Sequence, residues 1–132
     1  MTNLNYSQST GNLTDDNGKH ICTGFAGNDS RPGVNPNHIH GFDNPEAESI
    51  HGIGPLPKGK YTVGTWGDHP PLGPMSAPLT QFEGETYGRS GFFIHGGAAL
   101  DVFNSSEGCV VLHRDDRETV MNMKPDTITV TA

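Results

Sequence analysis

The chain is expected to fold as a mainly β single domain, a sandwich or barrel of short strands with one short helix near the C-terminus. Three observations lead there. The 132 residues make one domain, spanning 1–132, with no room for two ordinary ones and enough chain to bury an independent core. Gly 18 and Pro 10 interrupt the chain too often for an all-helical bundle, because glycine costs backbone entropy in a helix and proline removes a donor. The apolar residues fall in short alternating or continuous runs between turn residues, which is strand patterning.

Each element follows in order. Residues 1 to about 44 are rich in Asn, Asp, Gly, Ser and Thr and read as short strands and turns. Asn17-Gly18 between Leu13 and Ile21 marks a hairpin. Gly27 to Pro45 reads as loop, and Tyr61-Thr62-Val63 alternates as a strand. Gly67 to Pro78, carrying Pro70, Pro71, Pro74 and Pro78, is expected to be a long irregular loop, a type that often has a functional reason. Gly91 to His95 is the most apolar continuous run and is predicted to be a buried strand ending on His95. Cys109 to Leu112 is a second such strand. Asp115 is expected to cap a helix, with Glu118 reaching back in a capping box. Val120, Met121 and Met123 give that helix an apolar face, and Pro125 ends it. Thr127 to Thr131 alternates cleanly and reads as a final strand with one buried face.

Charge and composition then exclude whole classes. Eight basic and 15 acidic residues leave a net charge of −7, which repels phosphate backbones and argues against a nucleic-acid partner. No run of eighteen apolar residues exists, so no membrane span is expected. Met1 to Thr10 is polar and lacks the apolar core of a signal peptide, so synthesis in the cytoplasm without such a leader is expected. The two cysteines, Cys22 and Cys109, do not make a disulfide framework; a single bridge is open, and two free thiols are the plainer expectation.

The pair that carries chemistry is His95 and Cys109. His95 is followed by Gly96-Gly97, and Cys109 is preceded by Ser106-Glu107-Gly108. A thiol must lose its proton to attack a carbonyl, and a histidine in reach can take it. Two adjacent strands ending at the same edge would bring them together. Glycine beside a nucleophile lets backbone N–H groups approach a developing oxyanion. The competing reading is a buried structural cysteine and a histidine that merely closes a strand.

The wider pattern resembles a family. Phe92-Phe93-Ile94-His95-Gly96 followed by Ser106-Glu107-Gly108-Cys109-Val110 is similar to the signature of L,D-transpeptidases. Tyr6 to Leu13, Cys22 to Asn28, Gly54 to Tyr61 and Gly88 to Gly96 resemble the L,D-transpeptidase-like effectors of type VI secretion, and together the likeness spans about residues 6 to 130. It implies an L,D-transpeptidase-like sandwich or barrel with the short helix following the cysteine. It implies that Cys109 attacks the carbonyl joining diaminopimelate to the terminal D-Ala of a peptidoglycan stem peptide, with His95 as general base. Backbone N–H groups of Gly108 and Cys109 are the oxyanion candidates, and Ser106 either orients the loop or bonds its own turn. No cofactor or metal is implied. One departure stands out: the family usually has an Arg two residues after the cysteine, where this chain has Val111. Arg114 is the candidate to meet the substrate carboxylate instead, against an exposed arginine pairing with Asp115 or Glu118. His113, Arg89 and Gly96 complete the candidate substrate-binding set.

Two other readings compete. His38, His40, His51, His95 and His113 could build a zinc-dependent peptidoglycan hydrolase, although no His-Glu-x-x-His spacing is present. A non-catalytic cell-wall binding module would keep the shape without needing a reactive thiol. A papain-like order, with Cys22 before His95, lacks the glycine setting. The cell-wall substrate lies outside the cytoplasm, so the resemblance implies secretion into the periplasm of a target bacterium. It also implies a secretion-machine carrier and a cognate immunity protein as partners.

Overall fold

The computed structural model describes residues 2–28, 40–69, 72–96 and 108–132. These build one curled sheet and one helix. The strands are β1 (Asn3–Ser7), β2 (Asn12–Asp15), β3 (His20–Thr23), β4 (Gly59–Val63), β5 (Ala77–Gly84), β6 (Phe92–His95), β7 (Val110–Val111) and β8 (Thr127–Thr131). The helix, α1 (Arg114–Met123), lies between β7 and β8, and a single 3-10 turn covers Pro45–Ala47. The fold is thus mainly β with one short helix after Cys109.

The sheet order is β3-β2-β1-β8-β4-β5-β6-β7. Two antiparallel meanders, β1-β2-β3 and β4-β5-β6, are joined by the C-terminal strand. β8 runs parallel to β1 and antiparallel to β4. Its alternation explains this central place. Ile128 pairs with Leu4 and Tyr61, and Val130 pairs with Tyr6, so every second residue enters one shared core. Full burial of each such side chain contributes roughly 1.5–3 kcal/mol. The sheet curls until its edges meet: Phe25, just past β3, exchanges two backbone hydrogen bonds with Val111 of β7. The β2-β3 turn forms where Asn17-Gly18 predicts it. The Asp15 carboxylate accepts from the backbone N–H groups of Asn17 and Lys19.

Two expectations are corrected. α1 begins at Arg114 with His113 at the cap position and no side-chain cap bond. Asp115 therefore sits inside the first turn beside Asp116, where carboxylates favour the helix dipole without capping it. β5, the longest strand, is not marked by the sequence pattern and takes in Ala77 and Pro78 from the expected loop. Its pattern misleads because the large apolar residue Phe82 points outward and is 57% exposed, while Leu79 is buried.

The stretch from Asn44 to Lys58 has almost no regular structure, yet Ala47, Ile53 and Leu56 are buried. Its carbonyls are satisfied by side chains from elsewhere, as buried backbone requires. Gln8 donates to Leu56 O, Tyr61 to Pro57 O, and the Arg89 guanidinium to Glu48 O, Gly54 O and Pro55 O. This stapled loop forms one wall of the groove described next.

Candidate functional site

β6 and β7 are adjacent and parallel, with Ile94 opposite Val110 and His95 opposite Val111. On β6, Phe92 and Ile94 enter the core, so Phe93 and His95 take the other face. Cys109 lies one residue before Val110, just outside β7. The expected adjacency holds, but the two residues stand at opposite ends of their strands. His95 closes β6, whereas Cys109 precedes β7. Ordinary strand spacing puts their backbones about 8 Å apart on the diagonal.

Both line a groove of about 510 Å³, together with His51, Arg89 and the Gly88–Phe92 segment. His95 is buried, and its Nδ1–H donates to Gly96 O. A carbonyl only accepts, so the proton sits on Nδ1 and Nε2 carries the free lone pair. Burial pushes the imidazole below its ordinary pKa; the Gly96 bond opposes this, and the Arg117 charge adds to it. His95 is therefore neutral at pH 7. It makes no direct bond to Cys109, whose thiol is turned toward Gly91 O at 3.6 Å. Catalytic hydrogen bonds often close only when substrate arrives.

Arg89 occupies the base of this groove. It is 6% exposed, held by the three carbonyls of the stapled loop and stacked 5.6 Å over the Phe92 ring. Neither a surface arginine nor a ready carboxylate clamp, it is committed to backbone. Burial works against its charge, while electrostatic interactions with Tyr61, Cys109 and Glu48 support it. Gly108 explains the close approach. Its φ is +130°, and a Cβ there would lie 2.4 Å from Arg89 Nη2, so no larger residue fits between the guanidinium and the Cys109 backbone.

The remaining candidates divide. Ser106 lies outside the described residues. His113 is exposed and lines neither this groove nor its neighbour. Gly96 and Arg114 line a second groove of about 380 Å³ with Pro74, Met75, Arg117 and Leu72, which also lines the first groove. Arg114 pairs with neither Asp115 nor Glu118. Of the histidines proposed for zinc, His38 lies outside the described residues. His51 lines the first groove, its ring bonded to Tyr87 O. Among the described residues, no three His, Cys, Asp or Glu side chains gather around one point. Cys22 is 3% exposed in the core, and burial, with the nearby Asp116 charge, pushes its thiol up to about 11. Cys22 and Cys109 are not joined in a disulfide.

A family model described as the Tlde1 domain matches residues 37–129. The chain belongs to the Tlde1-domain family. Tlde1-domain proteins are peptidoglycan-targeting, L,D-transpeptidase-like effectors of type VI secretion, which act in the periplasm of a target cell. The matched span of the Tlde1 domain holds both grooves and every charged residue that lines them. No curated protein matches the chain. Among the described residues, no helix is long and apolar enough to cross a membrane.

Sequence reasoning missed Arg117 and Glu48, and offered His51 only as a zinc ligand. Arg117 carried the one available signal, a cation one helical turn beyond Arg114. Glu48 and His51 lie 61 and 58 residues before Cys109, on a loop whose path no local pattern encodes.

Proposed function

We propose that this Tlde1-domain chain is a cysteine L,D-carboxypeptidase and L,D-transpeptidase acting on peptidoglycan tetrapeptide stems. Cys109 is the nucleophile and His95 the general base. His95 Nε2 takes the thiol proton, and the sulfur attacks the carbonyl of the diaminopimelate–D-Ala bond. Backbone N–H groups at Gly108 and Cys109 meet the developing oxyanion. The imidazolium returns its proton to the leaving amine, D-Ala departs, and a thioester to Cys109 remains. Water resolves it to a tripeptide, whereas a D-amino acid amine resolves it to an exchanged stem. His95 acts as base and then acid, which suits a group held neutral but titratable near working pH.

The observation that carries this reading is the one groove that His95 and Cys109 both line, with the His95 Nδ1 committed to Gly96 O. Arg89 supports it: a fixed, desolvated cation behind Gly108 favours the thiolate over the thiol at Cys109. The same groove is what an immunity protein would occlude.

The test is incubation of purified protein with diaminopimelate-type muropeptides, followed by mass analysis. Loss of one D-Ala per stem is expected, and its replacement when a D-amino acid is supplied. Cys109→Ala and His95→Ala are expected to fold normally and leave stems untrimmed. Glycan-strand cleavage, or full trimming by Cys109→Ala, would overturn the proposal.

A further inference from the structure

The second groove poses a charge problem. The protein carries a net charge of −7, yet Arg114 and Arg117 converge on one hollow. Among the described residues neither has a carboxylate partner. Asp116 forms no ion pair with either among the described residues, and its charge acts on Cys22. Arg117 donates one bond, from Nη1 to Pro74 O at 2.9 Å, while its buried Nε has no partner. Burial and the repulsion of Arg114 both lower the Arg117 pKa. Two cations held together over a cavity of about 380 Å³ are at their most stable with an anion between them.

The position of the hollow selects the anion. Arg117 Nη2 lies so close to Gly96 that a Cβ there would stand 2.8 Å from it. Gly96 O is in turn the acceptor of the His95 ring. The arginine side of this hollow therefore adjoins the backbone beside the base, whereas Cys109 lines the first groove, which meets the hollow at Leu72. In the reaction proposed above, the amine that leaves must come to the imidazole, since that is where its proton comes from. An amino acid leaving from a peptide C-terminus carries its carboxylate one carbon from that amine.

We propose that the hollow between Arg114 and Arg117 is a carboxylate subsite for the terminal or incoming D-amino acid, with Arg117 as the chief contact. This assignment rests on the reaction proposed for Cys109 and gives it a direction. The stem peptide lies along the groove of His51 and Arg89, and the departing or accepting amino acid lies beyond His95. The Arg114–Arg117 pair then stands where the Val111 position of this chain offers no cation. It selects stems that end in a free carboxylate, and it holds the acceptor for exchange in the same place from which D-Ala departs.

Two measurements test this, one independent of turnover. Isotope-labelled Cys109→Ala protein is titrated with D-alanine and with D-alaninamide, and amide shifts are followed. D-alanine is expected to shift Gly96 and the first turn of α1 and D-alaninamide to leave them unmoved. Arg117→Gln is expected to abolish the D-alanine response, and Arg117→Lys to restore part of it. Turnover is then compared on stems with a free or an amidated terminal D-Ala. Losing one charge-assisted contact corresponds to about a tenfold to hundredfold change. Arg117→Gln is expected to raise KM by that factor for the free acid only, with kcat changing less. Equal responses to acid and amide, or responses indifferent to Arg117, overturn the subsite. If the subsite binds D-alanine through Arg117 while no stem is trimmed, the subsite stands and the reaction proposed for Cys109 falls.

Discussion

Replacing Arg89 with methionine separates the two things this residue does. Arg89 is 6% exposed and donates to Glu48 O, Gly54 O and Pro55 O, the last two at 2.8 Å. A hydrogen bond from a charged donor contributes about 1.5–3 kcal/mol, and each carbonyl left buried and unpaired costs about 1–3 kcal/mol. Three such losses do not add fully, because the loop relaxes and water enters, so about 3–5 kcal/mol is the expected destabilisation. That is a large share of the roughly 5–15 kcal/mol that holds a domain together. Methionine still fills the space above Phe92, so the loss is polar rather than volumetric. Urea denaturation followed by circular dichroism measures it as a lower midpoint. Arg89→Lys keeps the charge but not the three-pronged geometry. It is expected to lose most of the same stability while Cys109 keeps most of its reactivity toward iodoacetamide at pH 7, which Arg89→Met loses. A stability loss under about 1 kcal/mol in both variants would refute the claim that Arg89 staples the loop. Unchanged alkylation in Arg89→Met would refute its effect on the thiolate.

Three further outcomes are expected. Iodoacetamide at pH 7 should label Cys109 and spare Cys22, whose thiol is buried and pushed up to about 11; labelling of both at similar rates in folded protein would contradict the site. Activity should fall as pH drops through the lowered His95 pKa, below its ordinary 6.5, because the base is lost on protonation. His95 also makes stability fall with acid there, since the unfolded chain binds the proton more readily than the fold does; a rate profile that stays flat with acid until the protein unfolds would exclude His95 as the base. Tyr6→Phe should be neutral or stabilising by up to about 1 kcal/mol in thermal denaturation, because the buried Tyr6 hydroxyl has no hydrogen-bond partner among the described residues; a loss above about 1 kcal/mol would mean that the hydroxyl is bonded in solution.

Elements with a strong local signal are legible in the residues themselves. The Asn17-Gly18 turn, the β6 run into His95 and the alternation of Thr127–Thr131 each declare themselves within a few positions. The candidate pair proposed for the chemistry is equally easy to single out, because a histidine and a cysteine flanked by glycines form a local pattern. The start of α1 differs from its local signal. Asp115 satisfies a capping rule, but His113 takes the cap position once Leu112 is drawn into the core, its N–H bonded to His95 O. β5 stays hidden because its outward Phe82 breaks the alternation that marks a half-buried strand.

What residue identities determined by themselves was therefore the class of fold, many of the strand-forming runs and the candidate pair proposed to react. Tertiary structure alone decided which distant groups surround those atoms. Glu48, Arg89 and Gly108 meet only because a loop without periodicity is drawn inward by carbonyls that need donors. Arg117 reaches Gly96 only because α1 packs where β7 delivers it. Local sequence encodes conformations a few residues long, whereas a buried charge chooses its partners from whatever the whole sheet brings within about 3 Å of it.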